Sequence, residues 1–154
     1  MREGLDPLAT TGSLKAGGRF NPPNEFGALY NSLDANTAAQ EVARGLRARG
    51  IDPEQFPAEA WWVYELEVTL ESVLDLTDPA VLQKTAISVD LLTSSDVDAT
   101  RQIAAEARER GYEALLVPSA AAPGLKNLVI FLDQASVHPI VISSRPISLS
   151  ERIR

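Results

Sequence analysis

Arg19, Tyr30 and Glu41 stand at equal steps of eleven residues, and far downstream Ser119 ends the apolar run Leu115-Leu116-Val117-Pro118. Arginine offers a planar fork of donors to a phosphate or carboxylate, and tyrosine offers a flat ring with a polar tip. Glutamate can stabilise positive charge that builds on a sugar carbon as its bond to a base breaks. A serine in an irregular turn can direct its hydroxyl into a cleft. Other chemistries fit these residues poorly. Ser119 lacks the glycine-flanked elbow of the common hydrolase motif, and the single histidine, His138, precedes a proline at an expected strand edge, so a nucleophilic triad is unsupported. One histidine and no cysteine leave only scattered carboxylates for a metal, and none is expected to be bound. Gly17-Gly18 makes neither a Walker loop nor a dinucleotide fingerprint.

Four kinds of element must bring these side chains together. Residues 1–27 are rich in Gly, Pro, Asn and Thr and read as an ordered loop that carries Arg19 and Asn21. A short strand over 28–31 would carry Tyr30. Asp34 suits the N-cap of a helix over 35–49, closed by Gly50. Ala35, Ala38, Ala39, Val42 and Leu46 keep the helical period and form its core face. Glu41 lies beside that face with Thr37, Ala38 and Gly45 one turn away. Taken alone, a helix glutamate reads as a solvated charge. Its small neighbours, however, leave it uncovered, and Gly45 is expected to serve packing or access, because glycine inside a helix costs up to ~1 kcal/mol relative to alanine.

The remainder reads as strands around short helices. Residues 61–70 alternate as a half-buried strand, and its two tryptophans are expected in the core or on the sheet surface. Residues 72–76 would continue that sheet after a bend. Asp78-Pro79 starts a short helix through 84, with proline in its first turn. Residues 96–110 form a surface helix closed by Gly111, with Ile103, Ala104 and Ala107 inward and its Arg101, Glu106, Arg108, Glu109 and Arg110 charges solvated. Strands follow over 112–117, 127–133 and 139–143, the first two separated by the turn that holds Ser119. Without a regular alternation of strand and helix, the fold class is α+β, a mixed and largely antiparallel sheet with flanking helices.

With 154 residues, 45% hydrophobic and 23% charged, the chain reads as a single domain over 1–154. A net charge of -7 argues against a general nucleic-acid binder, since no basic patch is evident. The absence of cysteine excludes disulfides and thiolate chemistry. No apolar run approaches the ~20 residues that cross a bilayer, and the polar start lacks a signal-peptide core; no membrane association is expected, and the cytoplasm is the expected location.

Gly18-Arg19-Phe20-Asn21-Pro22, Gly27-Ala28-Leu29-Tyr30, Ala38-Ala39-Gln40-Glu41-Val42 and Val117-Pro118-Ser119 together resemble the RES domain, named for its arginine, glutamate and serine. The resemblance extends over nearly the whole chain. It implies a fold similar to ADP-ribosyltransferase toxins and the role of a toxin paired with an Xre-type helix-turn-helix antitoxin. It also implies NAD as substrate, consumed by phosphorolysis or hydrolysis or used to ADP-ribosylate a protein; a non-catalytic NAD-binding module on the same fold is the third possibility. Arg19 would bind the NAD phosphates or the nicotinamide ribose region, and Tyr30 would pack on the nicotinamide. Glu41 would hold a ribose hydroxyl and stabilise the oxocarbenium-like transition state, Ser119 would orient the nicotinamide or its ribose, and Asn21 would join the NAD contacts. The chain departs from the family pattern at three places. Phe20 stands where tryptophan is common, Arg2 is the only candidate for an upstream arginine, and Asn127 leads into Leu128-Val129-Ile130-Phe131 in place of the usual Asn-Pro after the serine strand.

Overall fold

The computed structural model describes residue 1, residues 5–57 and residues 60–149, so Arg2 lies outside the described residues. The order of elements is α1 (Thr11–Ala16), β1 (Leu29–Ser32), α2 (Ala35–Ala48), a 3-10 turn at Pro53–Gln55, β2 (Trp61–Glu67) and β3 (Val73–Asp75). It continues through α3 (Pro79–Thr85), α4 (Val89–Thr93), α5 (Asp98–Glu109), β4 (Ala114–Pro118), β5 (Lys126–Ile130) and β6 (Ile140–Ile147).

Local chemistry sets the helix ends. The Asp34 carboxylate accepts from the Thr37 amide at 2.7 Å and from the Thr37 hydroxyl at 2.8 Å, capping α2. Gly50, at φ +75°, supplies the left-handed residue just beyond its end. Asp78 and Ser88 cap α3 and α4 through the Ala80 and Leu91 amides. α1 breaks up what the sequence suggested was one continuous loop. It has six residues, no capping side chain and an internal glycine, and so leaves little trace in the sequence.

β1, β5, β4 and β3 form one mixed sheet in that order, antiparallel except for the β3–β4 pair, while β2 and β6 form a separate antiparallel ribbon. A parallel pair requires a crossover, and α3, α4 and α5 supply it. The α+β expectation holds, but segment 72–76 does not extend the sheet of β2. β3 pairs instead with β4, and the pairing is prolonged by the Glu113 amide on the Ser72 carbonyl and the Leu76 amide on the Leu116 carbonyl, both at 2.8 Å. β2 stops at Glu67, after an irregularity between Glu65 and Leu66. Leu66, Val68 and Leu70 then pack on Leu29, Ala114 and Ile130 of the larger sheet. β6 runs through Pro146, because a strand with one neighbour has a free side on which the missing N–H costs nothing.

The two faces of the larger sheet bury different cores. Leu115, Val117, Val129 and Phe131 pack with Leu92, Ala104 and Ala107 of α4 and α5, while Leu29, Ala114 and Ile130 face the other way. α2 joins a third cluster through Ala39 and Leu46 against Ile147 and Leu149. Trp61 packs edge-on to Phe56 at 5.3 Å in this cluster, as expected of a core aromatic. Arg108, however, is not simply solvated. It grips Asp133 with two hydrogen bonds at 2.7 and 2.9 Å and lies 4.2 Å above the Phe26 ring. That grip holds the Asp133 carboxyl below the usual carboxylate range.

Among the described residues, a methyl group added at Gly45 would meet nothing within 4 Å, so no close packing requires the glycine. Gly45→Ala is therefore expected to raise the free energy of unfolding by about 0.5–1 kcal/mol, and Asp34→Ala to lower it by about 1 kcal/mol, both read from urea unfolding curves.

Candidate active site

Strand pairing builds the floor of the site. Tyr30 lies opposite Val129, Ser32 opposite Asn127, and Asn127 in turn opposite Val117. Side chains alternate along a strand, so these five residues share one face of the sheet. Part of that face is left uncovered as a cleft. Arg19, Tyr30, Glu41 and Asn127 bring polar atoms to the cleft, and Phe20, Val117 and Val129 form its apolar walls.

Glu41 reaches this cleft from α2, and the default reading of a solvated helix charge fails for a specific reason. Its Oε1 accepts from the Ser119 hydroxyl at 2.6 Å and from the Asn127 amide Nδ2 at 2.7 Å. Its Oε2 receives no hydrogen bond from the described residues. Ser119 is 3% exposed and accepts from the Ala122 amide at 3.0 Å, which directs its proton towards Glu41. The serine hydroxyl that the sequence placed in the cleft is thus turned onto the glutamate. The turn around it is closed by the Ser119 amide on the Leu125 carbonyl at 2.8 Å.

Tyr30 is fixed at its tip and open at its ring. The hydroxyl donates to Asn21 Oδ1 at 2.7 Å and accepts from the Phe20 amide at 2.9 Å, while 41% of the residue stays exposed. Burial of the hydroxyl pushes its pKa up to about 12, against the opposing Phe20 hydrogen bond and the charges of Arg101 and Arg19. Gly18 permits the arrangement: a Cβ there would lie 2.3 Å from the Tyr30 oxygen. Asn21 is completely buried, and its amide donates to the Ser13 and Phe26 carbonyls at 2.8 and 2.9 Å. The structure places Asn21, expected to join the NAD contacts, beneath the cleft as a support for Tyr30 and the Gly-Arg loop.

Arg19 is held from the crossover helices. Its Nη1 donates to the Ser94 carbonyl at the end of α4, and its own carbonyl accepts from the buried Thr100 hydroxyl of α5 at 2.5 Å. Burial, followed by the neighbouring Arg44 charge, lowers its pKa, partly offset by Glu41 and Tyr30. An arginine remains cationic under such a shift. Arg101, expected to be a solvated charge, donates from Nε to the Gly18 carbonyl at 2.9 Å and so steadies the same loop.

Arg19, Tyr30 and Glu41 thus meet at one cleft with Ser119 directly behind the glutamate. Asn127, Ser32, Thr100 and Arg101 complete the framework and were not singled out as site residues from the sequence. Asn127 gave one signal, as the polar residue directly before the apolar run Leu128-Val129-Ile130-Phe131.

An α+β domain that assembles arginine, tyrosine, glutamate and serine around one cleft defines a recognisable class. The chain matches the RES domain over residues 3–150 and belongs to that family. It is 30% identical over 120 residues to the NAD(+) phosphorylase MbcT of Mycobacterium bovis and Mycobacterium tuberculosis, an overlap of 78% of this chain and 64% of that protein. It is 35% identical over 115 residues to the probable NAD(+) phosphorylase Rv3189 of M. tuberculosis, covering 75% of this chain and 53% of that protein. The chain therefore spans between about half and two thirds of the length of these curated relatives. The fold also matches a chain in the crystal structure of the M. tuberculosis MbcT-MbcA toxin-antitoxin complex, with a TM-score of 0.85 at 25% identity, covering 99% of this chain and 84% of that one.

Tyrosine in an unfolded chain ionises near ~10, so a phenol raised to about 12 in the folded state contributes stability that is complete below pH ~10 and is lost as pH climbs through the higher value. Absorbance titration of the phenolates is expected to show a component near pH 12 that Tyr30→Phe removes, and the same substitution should flatten the alkaline loss of stability in that window.

Proposed function

We propose that this domain cleaves the bond between nicotinamide and ribose in NAD. The observation that carries the reading is the state of Glu41: Oε1 is pinned by Ser119 and Asn127, while Oε2 has no donor among the described residues, in a cleft shared with Arg19 and Tyr30. In the proposed reaction the C1–N bond breaks, its electron pair leaves with nicotinamide, and positive charge develops on the sugar. Nicotinamide in NAD is already a cationic leaving group, so no strong general acid is required. A carboxylate held near the ribose supplies the stabilisation, and Oε2 would take the ribose hydroxyl.

The other residues fall into matching roles. The exposed Tyr30 ring, fixed by its hydroxyl, would stack on the nicotinamide. Arg19 would face the phosphates or the nicotinamide ribose region. Ser119 would act by holding Glu41, a role that its hydrogen bond to Oε1 supports. The names of the relatives, NAD(+) phosphorylases, favour inorganic phosphate as the acceptor; an oxygen of phosphate would then bond to the sugar carbon that nicotinamide has left. Among the described residues, no helix is long and apolar enough to cross a membrane, and the activity is proposed for the cytoplasm. An NAD-draining enzyme must be restrained in its own cell, and the likeness to a chain of a toxin-antitoxin complex supports a neutralising antitoxin, proposed to be of the Xre helix-turn-helix type.

Purified protein incubated with NAD is expected to release free nicotinamide, followed by chromatography, only when phosphate is present. Arg19→Ala and Glu41→Ala should lower that release by at least about 100-fold while circular dichroism shows both variants folded. Release without phosphate would make the acceptor water, and label transferred from NAD to a protein would make it an ADP-ribosyltransferase. No release from folded protein freed of any partner would sink the NAD-cleaving reading.

A further inference from the structure

We propose that Asn127, supported from behind by Ser32, is a positioning residue that aims Glu41 at its substrate. The inference rests on the NAD-cleaving reading above and names a part of the machinery outside the arginine, tyrosine, glutamate and serine set.

A carboxylate at the end of a helix side chain rotates freely unless donors hold it, and here both donors converge on one oxygen. Ser119 comes from the turn after β4 and Asn127 from β5, and they meet Oε1 at 2.6 and 2.7 Å. An asparagine amide could in principle present either its nitrogen or its oxygen to the glutamate. The oxygen would face another acceptor and repel it. The acceptor-only carboxylate settles that choice by taking Nδ2, and Ser32 supports it, because its hydroxyl then donates to the outward Asn127 Oδ1 at 2.8 Å.

The β1–β5 register is what delivers this link. Ser32 and Asn127 are direct partners across the strands, two residues from the Tyr30–Val129 pair on the same face. One register therefore sets both the stacking ring and the catalytic carboxylate. Arg19 meanwhile spends a donor on the Ser94 carbonyl and makes no hydrogen bond to Glu41. Among the described residues the glutamate is thus held by neutral donors, which leaves the guanidinium to face an anionic substrate. Fixing a reactive group in advance of binding is worth rate because the geometry need not be found again in each turnover.

The test is a double-mutant cycle on nicotinamide release using Asn127→Ala, Ser32→Ala and the pair together. Asn127→Ala is expected to lower kcat by about 10- to 100-fold with KM changed less than about threefold, the range typical of residues that orient a reacting group. Ser32→Ala should give a smaller loss, and the double variant should be no worse than Asn127→Ala alone, because Ser32 acts only through the amide. Wild-type kcat in Asn127→Ala, or losses that multiply in the double variant, would overturn the proposal. If wild-type protein releases no nicotinamide, the NAD-cleaving reading fails by itself. Crystal structures of the wild type and of Asn127→Ala then decide the positioning role: a displaced Glu41 carboxylate supports it, and an unmoved one refutes it.

Discussion

One carboxylate oxygen ties the site together. Glu41 Oε1 collects hydrogen bonds from two segments that lie far from it along the chain, the turn at Ser119 and the start of β5 at Asn127. Without them, α2 would carry an ordinary surface charge. With them, the helix, the turn and the sheet agree on the position of a single group. A charged acceptor paired with neutral donors forms stronger hydrogen bonds than a neutral pair, and confining both to one oxygen leaves the other available.

A second knot sits under the cleft and is built on different physics. Asn21, fully buried, spends its amide hydrogens on the Ser13 and Phe26 carbonyls and its oxygen on Tyr30. Such a satisfied polar group fixes the path of a loop that has no strand or long helix to do so. Gly18 fits because it has no side chain, Arg101 grips its carbonyl, and Thr100 grips that of Arg19. The crossover helices, which at the level of topology only return the chain from β3 to β4, thereby also anchor the cation of the site.

What could be read from the sequence was local. The caps of α2 at Asp34 and Gly50, the inward face of α5 and the strands lie close to where spacing and residue type put them. Strand ends were less legible, because a strand stops where its partner stops: β5 ends at Ile130 and β6 continues to Ile147 for reasons held in other segments. α4 has five residues and α1 has six, too short for periodicity to register. At the site, the residues that reach the cleft carried distinctive types and spacings, and Arg19, Tyr30 and Glu41 were legible for that reason. Their supports were not, since Asn127, Ser32, Thr100 and Arg101 acquire their roles only through pairing across the sheet or through contacts between distant segments. Asn21 was noticed for its motif, but its burial beneath the cleft was not legible, because burial does not show in a motif.

The sequence separations at Glu41 also carry a temporal consequence. Its two donors follow it by 78 and 86 residues. A ribosome therefore delivers the arginine, the tyrosine and the glutamate well before the groups that aim the carboxylate. Contacts of such long range form late, after the intervening chain has been ordered. The growing polypeptide stays without an assembled site until β5 has emerged and zipped against β1.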